Sequence, residues 1–217
     1  MSVANRVIET ARNTFSTGNQ SQPQRWRWYQ GVIFYATVQA LTLGLAVIVS
    51  VATGQKVKSV RDAFGDVSYF RSLRQSVFAP PSWVFGPAWT INNISVIWGN
   101  LQVLNKPQGT AGRNTYLALQ GASWFIFVAF SAAYFSLRSP INAFLLTLSM
   151  FVLTILSGLV AIFQLKDTKV ALSLATQTLW LMIALTAASF QAAWNKDEFY
   201  KVGPFAEPVP ALEKEAR

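Results

Sequence analysis

The sequence predicts an all-α integral membrane protein, a five-transmembrane-helix bundle with a long loop between helices 1 and 2. Three observations carry that prediction. Of 217 residues, 52% are hydrophobic and only 12% charged, where a soluble domain carries about a quarter charged residues. The charges are segregated: residues 31–53, 83–104, 115–137, 140–165 and 170–194 contain no Asp, Glu, Lys or Arg. Each of these runs matches the ~20 residues that cross a hydrocarbon core about 30 Å thick as a helix. A buried soluble core has no reason to repeat such a run five times.

Taken in order, the chain opens with an N-terminal amphipathic and polar segment over residues 1–22. Val3, Val7, Ile8, Ala11 and Phe15 recur at helical spacing with Arg6 and Arg12 elsewhere on the wheel, which suits a short helix lying on a membrane surface. The segment lacks the apolar core and cleavage site of a signal peptide and is expected to stay in the mature protein. The five-helix membrane domain is expected over residues 23–195, introduced by a polar linker and the interfacial aromatic cluster Trp26, Trp28 and Tyr29. The connection over residues 54–79 is long and carries Phe64, Tyr69, Phe70 and Phe78; long loops in compact domains are more often functional than idle. The other connections are short, which makes the remaining spans antiparallel neighbours. Beyond Trp194 the prolines 204, 208 and 210 argue against continued helix; residues 196–217 are expected to be a polar C-terminal tail, solvated over its last residues, Glu213 to Arg217.

Composition excludes several chemistries. The chain has no Cys and no His, so a disulfide, a thiolate nucleophile, a zinc site of the usual ligands and an imidazole haem ligand are all ruled out. No ionisable acid or base lies within the five runs, which argues against a proton relay or ion-coupled pump. No metal site and no catalytic acid–base pair or nucleophile is visible, so no enzyme activity is expected. The net charge of +9 sits in tails and connections. It reads as anchoring to anionic headgroups, worth about 1 kcal/mol per basic residue near the surface, rather than as a nucleic-acid footprint. Lys and Arg divide eight to ten between the two sides of the bundle, a margin too small to fix orientation.

The stretch from Phe78 to Thr90, FAPPSWVFGPAWT, packs three prolines and two tryptophans into the start of the second span. Pro80 and Pro81 fix φ and hold the preceding residue extended, so the chain approaches the membrane in one direction. Trp83 and Phe85 are expected at headgroup depth. With Tyr69-Phe70-Arg71-Ser72-Leu73 upstream, the stretch resembles the signature of the tryptophan-rich sensory protein/peripheral benzodiazepine receptor family, called translocator proteins in animals; Pro80, Pro81, Trp83, Phe85 and Pro87 are its structural residues. The resemblance covers residues 69–194 and implies a pocket between helices for porphyrins, sterols or aromatic drugs, covered by the 54–79 loop. Trp89, Trp124 and Trp180 match the family's pocket-lining tryptophans, whose flat faces suit planar rings. The polar partners depart from the pattern: the family's asparagine position in the third span is Gly121, that in the fifth is Ala188, and Asn93 stands where a tyrosine is expected.

The second span carries Asn92, Asn93 and Asn100. Asn93 lies four residues after Trp89 and seven before Asn100, so the three share a helix face. Gln39, Gln120 and Gln177 are partners from other spans. One reading is helix-to-helix glue at about 0.6–2 kcal/mol per pair; the other is that Asn93, Gln120 or Gln177 reaches a polar ligand group or a chlorin metal. Ala118, Ala122, Ala129 and Ala133 put small residues on one face of the third span, where two copies would meet as a homodimer.

The resemblance thus implies a multi-pass protein, of a bacterial or thylakoid-type membrane, that binds a tetrapyrrole or similar flat hydrophobic ligand for sensing, sequestration or transport. Trp89, Asn93, Gln120, Trp124, Gln177 and Trp180 would form the site, with porphyrin, chlorophyll or a haem-type tetrapyrrole as ligand and no required cofactor. The alternative is a non-catalytic accessory subunit of a larger, pigment-bearing photosynthetic membrane complex.

Overall fold

The computed structural model describes residues 25–54 and 67–214; the N-terminal segment 1–22 and residues 55–66 of the first long connection lie outside them. Among the described residues all regular structure is helical, with two isolated β-bridges. The helices are α1 (Trp28–Ala52), α2 (Val67–Ser72), α3 (Phe85–Leu104), α4 (Arg113–Ser131), α5 (Pro140–Phe163), α6 (Thr168–Ser173) and α7 (Ala175–Trp194). A 3-10 turn, Ser82–Val84, leads into α3, and α4 runs on into a π turn, Ala132–Ser136. The final apolar run is not one unbroken helix: it is interrupted at Leu174, between α6 and α7.

Four helical segments are long and apolar enough to cross a membrane: Trp28–Ala52, Arg113–Ser136, Pro140–Phe163 and Thr168–Trp194, with mean hydropathies of 2.2, 1.4, 2.4 and 1.6. At 20 residues α3 has the length as well, about 30 Å at 1.5 Å per residue. Asn92, Asn93, Asn100 and Gln102 keep it below the other four in hydropathy. Large apolar side chains such as Ile33, Leu41, Ile48, Phe125, Phe163 and Leu179 are exposed on the outside of the bundle, as lipid-facing surface requires.

Close approaches set the packing. Gly31 lets α1 meet α3: a Cβ there would fall 2.7 Å from Ile97 Cγ2 and 3.2 Å from Leu101 Cδ1. Gly99 does the same between α3 and α6, where a Cβ would lie 2.1 Å from Ser173 Oγ, and Ser95 Oγ donates to Ser173 O at 2.7 Å. Beneath them Val96, Val103, Tyr116, Val160, Ala161, Leu165, Val170 and Leu174 form the main apolar core. At this end of the bundle Trp26 N donates to Asn105 Oδ1 at 2.7 Å and Asn105 Nδ2 to Trp26 O at 2.9 Å, pinning the start of α1 to the end of α3.

The opposite end is fastened by the residues after α7. These polar residues pair with the chain ahead of the proline-rich stretch. Val77 N donates to Leu212 O and Lys214 N to Gln75 O, each at 2.8 Å. Asn195 bridges to both backbone groups of Arg74. Polar backbone drives this: residues 74–77 lie outside any helix, and their backbone groups find partners in the residues after α7. Asp197 is 1% exposed. Its carboxylate accepts from Ser139 Oγ at 2.6 Å, Ile141 N at 3.1 Å, Phe199 N at 3.0 Å and Tyr200 N at 2.8 Å. It thereby completes the start of α5, where Ser139 Oγ accepts from Asn142 N and Pro140 occupies the first turn.

Candidate functional site: an aromatic cavity between the helices

The α1 face that touches α3 at Gly31 continues through Tyr35, Gln39 and Thr42, at helical spacing. Past the Gly31 contact the space between α1 and α3 is a cavity of about 570 Å³. Its wall comprises Tyr35, Gln39 and Thr42 of α1, residues Ser82 to Pro87 with Trp89 and Thr90, Phe127, Phe130 and Ser131 of α4, Phe135 of the π turn, and Met150 of α5. Val84 and Ala88 are not among them. The proline-rich stretch therefore builds one side of the cavity. Phe85 turns inward: its ring meets Phe70 edge-on at 5.2 Å and Trp180 at 5.4 Å. Trp83 lies on the rim, 75% exposed.

The π turn shapes the α4 side. One extra residue in the turn, closed by Leu137 N to Ala132 O at 3.1 Å, lets Ser131 and Phe135 face the cavity while Ser136 faces α1. There Ser50 Oγ donates to Ser136 Oγ at 2.9 Å, and Ser136 Oγ to Ala46 O at 3.1 Å. Such bulges recur at functional sites because they re-aim side chains without ending the helix.

The three tryptophans belong to one aromatic chain but not to one surface. Trp89 lines the cavity, and its ring lies 5.3 Å from Phe127 and 6.4 Å from Trp180. Trp180 is 7% exposed and packs behind Phe85 and Trp89. Trp124 meets Phe127 at 5.5 Å and Phe34 at 5.0 Å, and it faces an outer groove between α1 and α4. All these contacts are edge-to-face, the favoured arrangement for rings carrying a quadrupole.

The predicted amides form a second layer. Asn93, Gln120, Trp124 and Gln177 surround a void of about 10 Å³ with Val96, Ser123, Phe127 and Met150, at the lower limit for one water. Gln120 Nε2 donates to Ser157 Oγ at 2.9 Å. Asn93 Nδ2 reaches Tyr35 OH at 3.5 Å, and Gln39 Nε2 donates to the same hydroxyl at 2.6 Å. The amides thus pair with hydroxyls, not with one another. Tyr35 is the link between this layer and the cavity wall. Gln177 Oε1 and the indole nitrogens of Trp124 and Trp180 are buried without a hydrogen-bond partner.

Sequence reasoning missed most of the wall. Phe127, Phe130 and Phe135 are apolar residues in an apolar span, and only the rotation of α4 against α1 and α5 selects them. Tyr35, Gln39 and Thr42 were findable, as polar-bearing residues at i, i+4 and i+7 in an otherwise apolar helix. Gly121, at the family's asparagine position, is exposed on the outer side of α4 and lines the outer groove; this departure takes no polar group from the cavity. Among the described residues no three acidic side chains gather as a metal site.

A profile of the TspO/MBR family matches residues 33–195, about three quarters of the chain, and no curated protein matches it. The matched range starts within α1, ends one residue past α7 and includes every wall residue of the cavity. The chain therefore belongs to the TspO/MBR family and is an integral, multi-pass membrane protein.

Proposed function

We propose that this protein binds a flat, largely hydrophobic molecule, a tetrapyrrole or a fused-ring compound of similar shape, in the cavity between α1, α3, α4 and α5. The observation that carries the reading is the wall itself: seven aromatic side chains, Tyr35, Trp83, Phe85, Trp89, Phe127, Phe130 and Phe135, line a space of about 570 Å³. That volume lies within the roughly 300–1,000 Å³ of small-molecule sites, and aromatic faces and edges are the natural neighbours of planar rings. No acid–base pair or metal cluster accompanies them, so the reading is binding for sensing, sequestration or transfer, not catalysis. We further read α3 as a fifth membrane span, because hydrogen bonds tie Asn105, just past its end, and the segment 74–77, ahead of its start, to opposite ends of the bundle.

The test is titration of the detergent-purified protein with protoporphyrin IX, followed by tryptophan fluorescence. Saturable quenching is expected, with affinity lowered about tenfold or more in Trp89→Leu, a loss of one aromatic partner worth about 1.4 kcal/mol or more. Phe127→Ala should weaken binding similarly. Unsaturable quenching, or equal affinity in wild type and both variants, would sink the reading.

A further inference from the structure

All fifteen residues of the cavity wall are uncharged. An ionised group carried into it would lose its hydration with no partner to replace it. At the rim the situation differs. Arg71, exposed on α2, donates from Nη2 to Ser82 Oγ at 3.2 Å, and Ser82 is part of the wall. Other arginines at this end are engaged: Arg74 with Glu207 and Glu213, and Arg138 with Glu198 and the Tyr69 ring. Arg71 has no carboxylate partner among the described residues, and its neighbour Phe70 packs on the wall residue Phe85. An open guanidinium fork thus stands one hydroxyl away from an aromatic cavity.

We infer that Arg71 is an anion anchor at the cavity rim, and that the cavity takes ligands whose planar apolar body carries an acidic group at one edge. This rests on the binding reading above and adds the charge and orientation of the ligand. The rings go inward against Trp89 and Phe127, and the carboxylate stays at the mouth, where it accepts two hydrogen bonds from the guanidinium. The residue determines specificity because, among the described residues, the cavity wall offers no cation of its own. A lipid phosphate would present Arg71 with the same chemistry, so the test separates the two sources.

The protein is placed in nanodiscs of phosphatidylcholine, with and without added phosphatidylglycerol, and titrated with protoporphyrin IX and with its uncharged dimethyl ester. The wild type is expected to prefer the free acid by about tenfold, a charge-assisted contact of about 1.4 kcal/mol, and the preference should shrink as salt rises. Arg71→Gln should abolish the preference by weakening the acid alone, Arg71→Lys should keep part of it, and Arg74→Gln should retain it. An acid preference unchanged in Arg71→Gln, or equal loss for acid and ester, would overturn the inference and leave the cavity reading standing. The same holds if Arg71→Gln alters only the response to phosphatidylglycerol, which would assign the guanidinium to lipid. No saturable binding of either compound to the wild type would overturn both.

Discussion

Trp89 and Trp180 are neighbours with different work, and the distinction appears only at the level of single side chains. Trp89 exposes a face to the cavity, whereas Trp180 is held behind it with its indole nitrogen unpaired. Trp180→Phe should therefore lower stability by about 1–3 kcal/mol, since volume leaves a packed site, while ligand affinity changes less than in Trp89→Leu. Thermal unfolding in detergent and the porphyrin titration, run on both variants, check this; a larger affinity loss in Trp180→Phe would contradict the assignment. The shared face of Trp89 and Asn93 was legible in the sequence, because four residues make a turn of helix whatever surrounds it. Which of Trp124, Phe127 and Phe130 would face inward was not. That depends on how α4 is rotated between α1 and α5, and every nearby position offers an apolar side chain to either choice.

The elements were legible to the extent that charge marks their ends, and they failed where hydrogen bonding alone sets geometry. Each long helix among the described residues overlaps one of the five uncharged runs. The π turn and the break at Leu174 carry no Gly or Pro, so nothing in the local sequence announces them. The residues after α7 read as polar for a related reason: composition does not show that Asp197 spends its polarity on α5. Asp197→Ala should destabilise the fold by about 2–4 kcal/mol, since a buried hydroxyl and three backbone N–H groups lose their acceptor; a melting temperature within a degree of wild type would refute this role. An ion pair ties two connections at the other end. Lys106 Nζ lies 2.8 Å from Asp167 Oδ2, and Asp167 Oδ1 accepts from Val170 N to cap α6. The hydrogen bond from Lys106 holds the Asp167 carboxyl below its ordinary pKa, with partial burial opposing. A depressed folded-state pKa contributes stability above the unfolded value, about 3.9, and that stability is lost as pH falls through the folded value. Lys106→Met should therefore cost up to about 1 kcal/mol at pH 7, and its difference from wild type should shrink as the pH falls from the ordinary carboxylate value through the depressed folded one. A difference that does not shrink on acidification would show that packing, not charge, links the two residues.

For the whole molecule, the number of membrane crossings turns on α3, whose composition and placement point in different directions. Averaged over its length it is less apolar than the other spans, but an average treats every residue as though it faced lipid. Asn92 and Asn93 are buried at 3% and 5% exposure, so their amides meet protein, while the side chains on its outer surface include Ile91, Ile94 and Trp98. Lipid reads only that outer surface. The geometry agrees: Asn105, just past the end of α3, is bonded to Trp26 ahead of α1, and Arg74, ahead of its start, is bonded to Asn195 after α7. A helix of about 30 Å between those two pins matches the hydrocarbon thickness. Five crossings put the start of α1 and the residues after α7 on opposite sides of the membrane, and four put them on the same side. The absence of cysteine makes the experiment direct. Arg25→Cys and Ala206→Cys, introduced singly and treated with a membrane-impermeant maleimide in sealed vesicles, should behave oppositely. One should label at once and the other only after permeabilisation, and labelling of both from the same side would remove α3 from the membrane.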